Sequence, residues 1–373
     1  MKYCINCLEP NTRPRTKFNK SGLCSACSYI NSKSKISSKK RIDLLDKIFS
    51  KFKSHKYYDC IIGVSGGKDS TRQALWLRDK FKINPLLVCC TYPPDQITKE
   101  GHENLSNLIS LGFDVIVSGP SPKFWKKVLK EGFLKGNYLR GPEIALFSSV
   151  PQIAIKYGIR LIIWGESPGY IWNNEKVKRK LEYDGNSLKY SNTISGCDLS
   201  WSNNFSQNPK KLSPYIYPSE KEFRKNKIQI IFLEYFTNNW SVINNAKIAS
   251  ANGLKIREDI VKNTGDLYGV MALDDDWVTL NQMIKYYKYG FGRASDYLNY
   301  EIRDGLISRE HAIKIIEKYD GKCSKTYIKS FCKYIDITES DFWKQVNKFV
   351  NKDLFYLSNK GNFKPKFKVG EGL

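Results

Sequence analysis

Short apolar runs alternate with amphipathic segments between residues 57 and 165 of the chain. The runs are rich in Ile, Leu, Val and Cys, and the segments between them carry apolar residues at helical spacing. Continuous apolar strands separated by helices of this length indicate a parallel sheet with right-handed crossovers. We therefore predict an α/β fold, with strands in the runs YDCIIGV, PLLVCCT, FDVIVSG and RLIIWGE.

The pattern changes on both sides of this region. A polar, Ser/Lys-rich linker opens residues 34–56 and is followed by IDLLDKIFSKF, which has the spacing of a helix. Residues 166–220 are rich in Trp, Tyr, Asn and Pro and lack periodicity, which favours a lid or substrate insertion over the crevice. Residues 221–373, from KEFRKNKIQIIFLEYF onward, read as an α-rich C-terminal region.

Cysteines cluster in residues 1–33. Cys4, Cys7, Cys24 and Cys27 form two C-x2-C pairs separated by sixteen residues. This spacing predicts a zinc ribbon, in which four thiolates close the coordination sphere of Zn²⁺ and leave no position for water. The alternative is a pair of disulfides in a secreted scaffold.

The formal net charge of +24 is typical of proteins that meet nucleic acid or a membrane surface. The excess is mainly Lys spread along the whole chain, so a basic surface for acidic small molecules or partners is equally compatible with it. No apolar stretch approaches the ~20 residues that span a bilayer, and the N-terminus lacks the apolar core of a secretory signal. We expect a cytoplasmic protein without a membrane partner.

The segment GVSGGKDS follows the first predicted strand. Three residues separate Gly63 from the Gly-Lys pair, whereas the P-loop of kinases and other NTPases needs four. A glycine-rich turn at the carboxyl end of a parallel strand still places its amides and the start of the next helix around an anion. We predict a phosphate site there, formed by Ser65, Gly66, Gly67, Lys68, Asp69 and Ser70. Asp69 would repel a bare phosphate, so its presence implies a bridging Mg²⁺. The alternative is an ordinary strand-to-helix turn.

The motif SGGKDS resembles the PP-loop of the ATP pyrophosphatase group. The resemblance implies a Rossmann-like parallel sheet of PP-loop ATPase type that binds ATP and releases pyrophosphate. The ordered set CINC…CSAC, TKEGHENLSNLISLGFDV, LIIWGE and YYKYGFGRASDYLNYEIRDGLISREHAIKIIEKYDG further resembles the bacterial N-acetyl sugar amidotransferases of surface-glycan and flagellar-sugar biosynthesis.

Members of that family convert a sugar acetamido group to an acetamidino group. By resemblance, ammonia would come from a separate glutaminase subunit, with a cyclase-like companion, both related to imidazole glycerol phosphate synthase. The substrate would be an acidic or nucleotide-linked acetamido sugar, and we do not expect nucleic acid as a partner. A cysteine in a recognisable glutaminase context is absent from this sequence.

Further candidate residues follow from these patterns. Lys68 and Asp69 would neutralise the leaving pyrophosphate, and Glu166 would orient the nucleophile, bind a second metal or accept a proton, unless it is a structural carboxylate. Arg293, in GFGRASD, would bind a substrate carboxylate or phosphate. Arg303 and Arg309 are interpreted as surface arginines of a helix-turn-helix element. The run Asp274, Asp275 and Asp276 is interpreted as a solvated surface or a turn, with a metal site as the alternative. His102 is interpreted as a surface or core residue. His55 and His311 are assigned in the same way.

Two other functions stay open at this point. One is a tRNA-modifying PP-loop enzyme, of the thiolation or lysidine type, in which the ribbon and the basic surface would hold RNA. The other is a non-catalytic relative, because the chain departs from the family pattern around Pro142 and after Ser167.

Overall fold

The computed structural model describes residues 1–33, 35–53, 57–165, 183–186, 188–190, 194–197, 199, 209–359 and 361–372. It contains a five-stranded sheet of order β3-β2-β1-β4-β5 in which every neighbouring pair is parallel. The strands are β1 Cys60–Gly63, β2 Pro85–Cys90, β3 Val115–Ser118, β4 Leu161–Trp164 and β5 Gln229–Phe232. The predicted parallel α/β sheet is therefore confirmed, with four strands in the four predicted runs.

Strand β5 corrects the sequence interpretation. It lies in KEFRKNKIQIIFLEYF, which we interpreted as helical, and it pairs with β4 from Leu161↔Gln229 to Trp164↔Phe232. Ile230, Ile231 and Phe232 are completely buried. A short apolar run of this length has no periodicity that separates a buried strand from a buried helix, so only the neighbouring strand decides its conformation.

Helices surround the sheet and form most of the C-terminal region. Between the strands and before β1, the helices are α1 Ser25–Lys33, α2 Ser38–Phe52, α3 Lys68–Phe81, α4 Lys99–Ser110, α5 Pro122–Leu134 and α6 Arg140–Tyr157. The later ones are α7 Glu220–Lys225, α8 Val242–Ala251, α9 Val261–Thr264, α10 Trp277–Tyr289, α11 Arg293–Arg303, α12 Arg309–Tyr319, α13 Lys325–Ile335 and α14 Glu339–Phe349. Two short antiparallel strands follow, β6 Phe355–Leu357 and β7 Phe363–Pro365.

Both faces of the sheet are covered. Cys60 and Ile62 of β1 join a core with α2 and α3, while Ile61 between them faces a core that includes Val150 and Ala154 of α6. Successive side chains of a strand point to opposite faces, so a continuous apolar run is what a sheet buried on both sides requires. Of the three cysteines in these strands, which their apolar runs predict to be small core residues, Cys60 and Cys89 are buried and Cys90, at the end of β2, is half-buried.

The C-terminal helices build a third core. Trp277, Phe331 and Phe342 pack there with Phe133 of α5, whose ring stacks on Phe342 with centroids 5.1 Å apart. Aromatic pairs at this separation add to the stabilisation that burial provides. This core joins the helical region to the α/β sheet through α5. None of the helices in the described part of the chain has the length and apolarity needed to cross a bilayer.

Residues 1–33, the cysteine unit, lie on α11 and α12 of the C-terminal region. Tyr3 and Leu8 are buried with Leu298 and Ile316. The Arg309 guanidinium donates to the carbonyl oxygens of Cys4 at 3.2 Å and Cys7 at 3.4 Å. The two ends of the chain thus meet on one side of the molecule.

Candidate functional site

The glycine loop, residues 63–68, joins β1 to α3. Strand β1 lies between β2 and β4, where the strand order changes direction, and ligands of open α/β sheets bind in the crevice at this position. Gly66 has φ +80°, and a Cβ there would lie 2.8 Å from the backbone of Asn104 and 2.9 Å from that of Leu105. The close approach of α4 and the left-handed backbone both require glycine at this point.

Helix α3 begins at Lys68, and its N-cap Gly67 provides no side-chain cap. The hydroxyl of Ser70 donates to the Gly67 carbonyl at 3.1 Å and that of Thr71 to the Gly66 carbonyl at 3.3 Å. These hydrogen bonds join the first turn of α3 to the carbonyl groups of the glycine loop and so fix the conformation of the loop. The positive end of α3 and the glycine loop therefore face the same crevice, an arrangement suited to an anion.

Lys68 and Asp69 lie together at this helix start. The buried Lys68 Nζ donates to Asp69 Oδ2 at 2.8 Å and contacts Met271 Sδ at 2.9 Å. The Asp69 side chain keeps 42% of its surface exposed, and Asn245 Nδ2 donates to its Oδ1 at 2.6 Å. An exposed carboxylate beside a phosphate-sized crevice fits a hard cation such as Mg²⁺.

A buried arginine behind Asp69 was not anticipated from the sequence. Arg72 donates to the Asn239 carbonyl at 2.9 Å, to Asn239 Oδ1 at 2.5 Å and to Asn245 Oδ1, and its guanidinium lies 5.0 Å from the Trp240 ring. Burial lowers the pKa of Arg72, and the Asp69 charge opposes that shift. Because a guanidinium can only donate, the Asn245 oxygen must face Arg72 and its NH₂ group must face Asp69.

One large cavity, of about 920 Å³, opens at the glycine loop. Its walls come from the glycine loop, the cysteine unit, α6, the segment 238–245, the segment 270–273 and α11. This volume lies at the upper end of the range of small-molecule sites. A smaller cavity of about 480 Å³ lies beside Arg160 and Gln229 at the opposite end of the strands, and no residue of the glycine loop lines it.

Glu166 lies outside the described residues, while its neighbour Gly165 lines the cavity. A different carboxylate borders the cavity just after the neighbouring strand β5. Glu234 follows β5, accepts a hydrogen bond from the Tyr29 hydroxyl at 2.9 Å and lines the cavity wall. The sequence interpretation missed Glu234 because it placed this segment in a helix; recognition of β5 would have put it at the carboxyl edge of the sheet.

The arginines of α11 and α12 occupy three different environments. Arg293 is the first residue of α11 and lines the cavity. Arg303 was interpreted as a surface residue, and this is wrong: its side chain is 2% exposed and its Nη2 lies 3.4 Å from Cys7 Sγ and 3.6 Å from Glu9 Oε2. Arg309 is half-buried and contacts the cysteine unit. A sequence pattern alone cannot reveal these contacts, because the partners lie almost 300 residues apart.

The four cysteines Cys4, Cys7, Cys24 and Cys27 are buried, with all four sulfurs within 4.8 Å of one another. The Cys4–Cys27 and Cys7–Cys24 sulfur separations are both 3.8 Å. A disulfide would bring sulfurs to about 2.05 Å, so the disulfide alternative is wrong. Four sulfurs at a Zn–S distance of about 2.3 Å in a tetrahedron lie about 3.8 Å apart. The predicted ligand set therefore fits a zinc ion, which would stabilise the fold of this unit.

The acidic run at 274–276 is a turn, as one of our two interpretations held, but its central residue is not solvated. Asp275 is completely buried; its Oδ1 accepts from the Trp277 amide at 2.8 Å and its Oδ2 from Gln96 Nε2 at 3.0 Å. Burial, with a smaller contribution from Asp274, raises the pKa of Asp275 to about 7. Asp275 thus anchors the start of α10.

His102 and His311 are exposed, and His55 lies outside the described residues. The four cysteines are the one group of potential metal-ligating side chains found across the residues that the structure describes. The exposure of His102 and His311 fits their interpretation as surface residues.

Residues 264–369 match the sequence profile described as the C-terminal domain of WbpG-like proteins, which are lipopolysaccharide (LPS) biosynthesis proteins. The match includes the GFGRASD segment and covers less than a third of the chain. No curated protein matches the chain. The matched region contributes Met271, Arg293 and Arg303 to the cavity wall that faces the glycine loop.

Proposed function

We propose that the protein is the ATP-dependent synthase subunit of a sugar amidotransferase that acts in surface-glycan biosynthesis and converts an acetamido group to an acetamidino group. One observation carries the proposal: a single cavity joins the glycine loop at the β1/β4 crevice to residues of the region that is similar to WbpG-like lipopolysaccharide biosynthesis proteins. A nucleotide at the loop and a sugar at the opposite wall would share this space.

The residues at the loop are suited to the triphosphate of ATP. The glycine loop, the start of α3 and Lys68 would hold the β and γ phosphates, and Asp69 would bind the accompanying Mg²⁺. The metal would neutralise charge on the phosphates when bound. Asn245 donates a hydrogen bond to the Asp69 carboxylate, and Arg72 holds Asn245 in that orientation. Lys68 donates to the same carboxylate.

The chemistry follows from the weakness of an amide as an electrophile. Its carbonyl oxygen must become a leaving group before nitrogen can replace it, so that oxygen attacks the α-phosphorus of ATP and the bond to pyrophosphate breaks. Ammonia then adds to the activated carbon, loses a proton and expels AMP, which carries away the former amide oxygen. A carboxylate at the cavity edge would accept that proton; Glu234 occupies such a position, and Glu166 stays a second candidate.

Ammonia would come from a separate glutaminase subunit. Cysteine-dependent glutaminases need an activated thiolate. Burial is the main cause that raises the pKa of each thiol outside the four-cysteine group, which disfavours that role for Cys60, Cys89, Cys90, Cys197, Cys323 and Cys332. The thiols thus favour a separate glutaminase, while the cyclase-like partner is proposed from the family resemblance alone.

A mass-spectrometric assay tests the proposal. The purified protein is incubated with ATP, Mg²⁺, ammonium and a panel of acetamido sugars that includes free nonulosonic acids and nucleotide-linked uronic acids. A product about one mass unit lighter, formed together with AMP and pyrophosphate, is expected. No product across the panel would overturn the proposal, and a salt-sensitive shift of tRNA in the same preparation would favour the RNA-modifying alternative.

A further inference from the structure

Three cations from separate parts of the chain meet where the cysteine unit touches α11. Arg13 belongs to the cysteine unit, Lys285 to α10 and Arg293 to the first turn of α11. The carboxylate of Asp296 accepts from both Arg13 Nη2 and Lys285 Nζ at 2.5 Å. The same two cations make cation–π contacts with Phe291, whose ring centroid lies 4.1 Å from Arg13 Cζ and 4.8 Å from Lys285 Nζ.

The charges around this point are not balanced by Asp296. Arg13 divides its interactions between Asp296 and Glu9, and Glu9 is also paired with Arg303. Burial lowers the pKa of Lys285 to about 8; Asp296 opposes this, and the charges of Arg13 and Arg293 add to it.

Arg293 differs from the other cations of the cavity wall. Arg13 and Arg303 are paired with Glu9, Lys68 with Asp69, and Arg41 with Asn238. The guanidinium of Arg293 makes no hydrogen bond and no ion pair with any residue in the described ranges. Its donors are thus available to a ligand in the cavity, and a guanidinium fork matches two oxygens of one carboxylate or phosphate.

Arg293 also lies near the glycine loop without being part of it. The Tyr297 hydroxyl donates to Asp266 Oδ1 at 2.6 Å. Burial and the Asp266 charge raise the pKa of Tyr297, Arg293 lowers it, and Asp69 adds a small further rise. Arg293 and the glycine loop line the same cavity, so an anion at Arg293 would share that space with a nucleotide at the loop.

We propose that Arg293 is the anion-binding residue of a subsite for the acceptor sugar and that the paired Arg13 beside it adds positive charge, so that the cysteine unit is a wall of the substrate site as well as a structural element. The ligand group is an oxyanion, either a carboxylate of an acidic sugar or the diphosphate of a nucleotide sugar. This inference rests on the proposed function, because it takes the second ligand to be an acetamido sugar.

Binding measurements on the full chain with its zinc test the subsite separately from turnover. The probes are N-acetylneuraminic acid, its neutral methyl ester, UDP-N-acetylglucosamine and the ATP analogue α,β-methylene-ATP with Mg²⁺, each titrated by calorimetry. Loss of a charge-assisted fork should weaken the bound anionic probe roughly 10- to 100-fold in Arg293→Gln. Arg13→Gln should weaken it less, and Arg13→Lys should restore part of the affinity.

Arg15→Gln is the matched control, since Arg15 is an exposed arginine of the same unit that contacts the Tyr190 carbonyl at 3.4 Å. Zinc content and thermal unfolding verify that each variant folds. Tighter binding of N-acetylneuraminic acid than of its ester would identify a sugar carboxylate as the group that Arg293 binds. Binding of UDP-N-acetylglucosamine would identify the diphosphate as that group.

Two results would overturn the subsite. One is anionic-probe affinity that is the same in wild type and Arg293→Gln, including no binding in either. The other is a loss of ATP-analogue affinity in Arg293→Gln, which would assign the residue to the nucleotide. Arg293-dependent binding without any acetamidine product would instead sustain the subsite while the proposed reaction fails.

Discussion

Replacing Arg303 by leucine would test whether the cysteine unit depends on one buried cation. The side chain of Arg303 is 2% exposed, and that of its ion-pair partner Glu9 is 8% exposed. A zinc ion held by four thiolates carries a net charge of −2, and Arg303 Nη2 lies 3.4 Å from Cys7 Sγ and 3.9 Å from Cys24 Sγ. The guanidinium therefore compensates the Glu9 carboxylate and would compensate the zinc–thiolate group as well.

The expected cost can be worked from this environment. Removal of one partner from a buried ion pair costs roughly 3–5 kcal/mol, because the remaining charge stays desolvated. Arg303→Leu leaves the buried thiolates without this cation and leaves Glu9 with Arg13 as its remaining ion-pair partner. The loss is a large fraction of the roughly 5–15 kcal/mol that stabilises a typical domain, so we expect the cysteine unit to release zinc at lower denaturant concentration than the rest of the protein unfolds.

The assay follows zinc release with a colorimetric chelator and unfolding by circular dichroism across a urea series. Arg309→Leu is the close comparison, since Arg309 contacts only carbonyl oxygens at 3.2–3.4 Å, and it should lose about 1–3 kcal/mol while keeping zinc. Arg224→Leu is the surface control, because its side chain is 75% exposed and its nearest acid lies 4.0 Å away. If Arg303→Leu holds zinc and unfolds within about 0.5 kcal/mol of Arg224→Leu, the reasoning is refuted.

Three further changes address the glycine loop and the metal site. Asp69→Ala should abolish pyrophosphate release with unchanged thermal unfolding and zinc content, and wild-type turnover in this variant would exclude the metal-binding role. Asn245→Leu removes the hydrogen bond to Asp69 and one acceptor of Arg72, so the Mg²⁺ concentration at half-maximal activity should rise roughly tenfold. The control Asn244→Leu loses one long 3.5 Å hydrogen bond and should leave that Mg²⁺ concentration unchanged. Equal Mg²⁺ concentrations for the two variants would contradict the role of Asn245 in holding Asp69. Cys24→Ser should lower zinc stoichiometry and solubility, whereas full zinc content in that variant would argue against the four-cysteine site.

Local pattern was enough for the parts of the protein whose physics is local. Each of the first four strands is a short apolar run that alternates with amphipathic segments of helical length, and this alternation is typical of a parallel α/β sheet. Gly66 and Lys68 lie in the short segment after β1, so their position at the carboxyl edge of the sheet needed no tertiary information. The C-x2-C spacing likewise predicts sulfurs that converge on one ion, because each pair forms its own turn.

Tertiary structure decided what depends on contacts between distant segments. The strand β5 is a short apolar run that only β4 identifies as a strand. The environment of Arg303 follows from a docking of residues 1–33 on α11, and the support of Asp69 comes from Asn245, 176 positions away. Burial and pairing of a charged side chain are properties of the space around it, and a sequence position carries no record of which chain segment will fill that space.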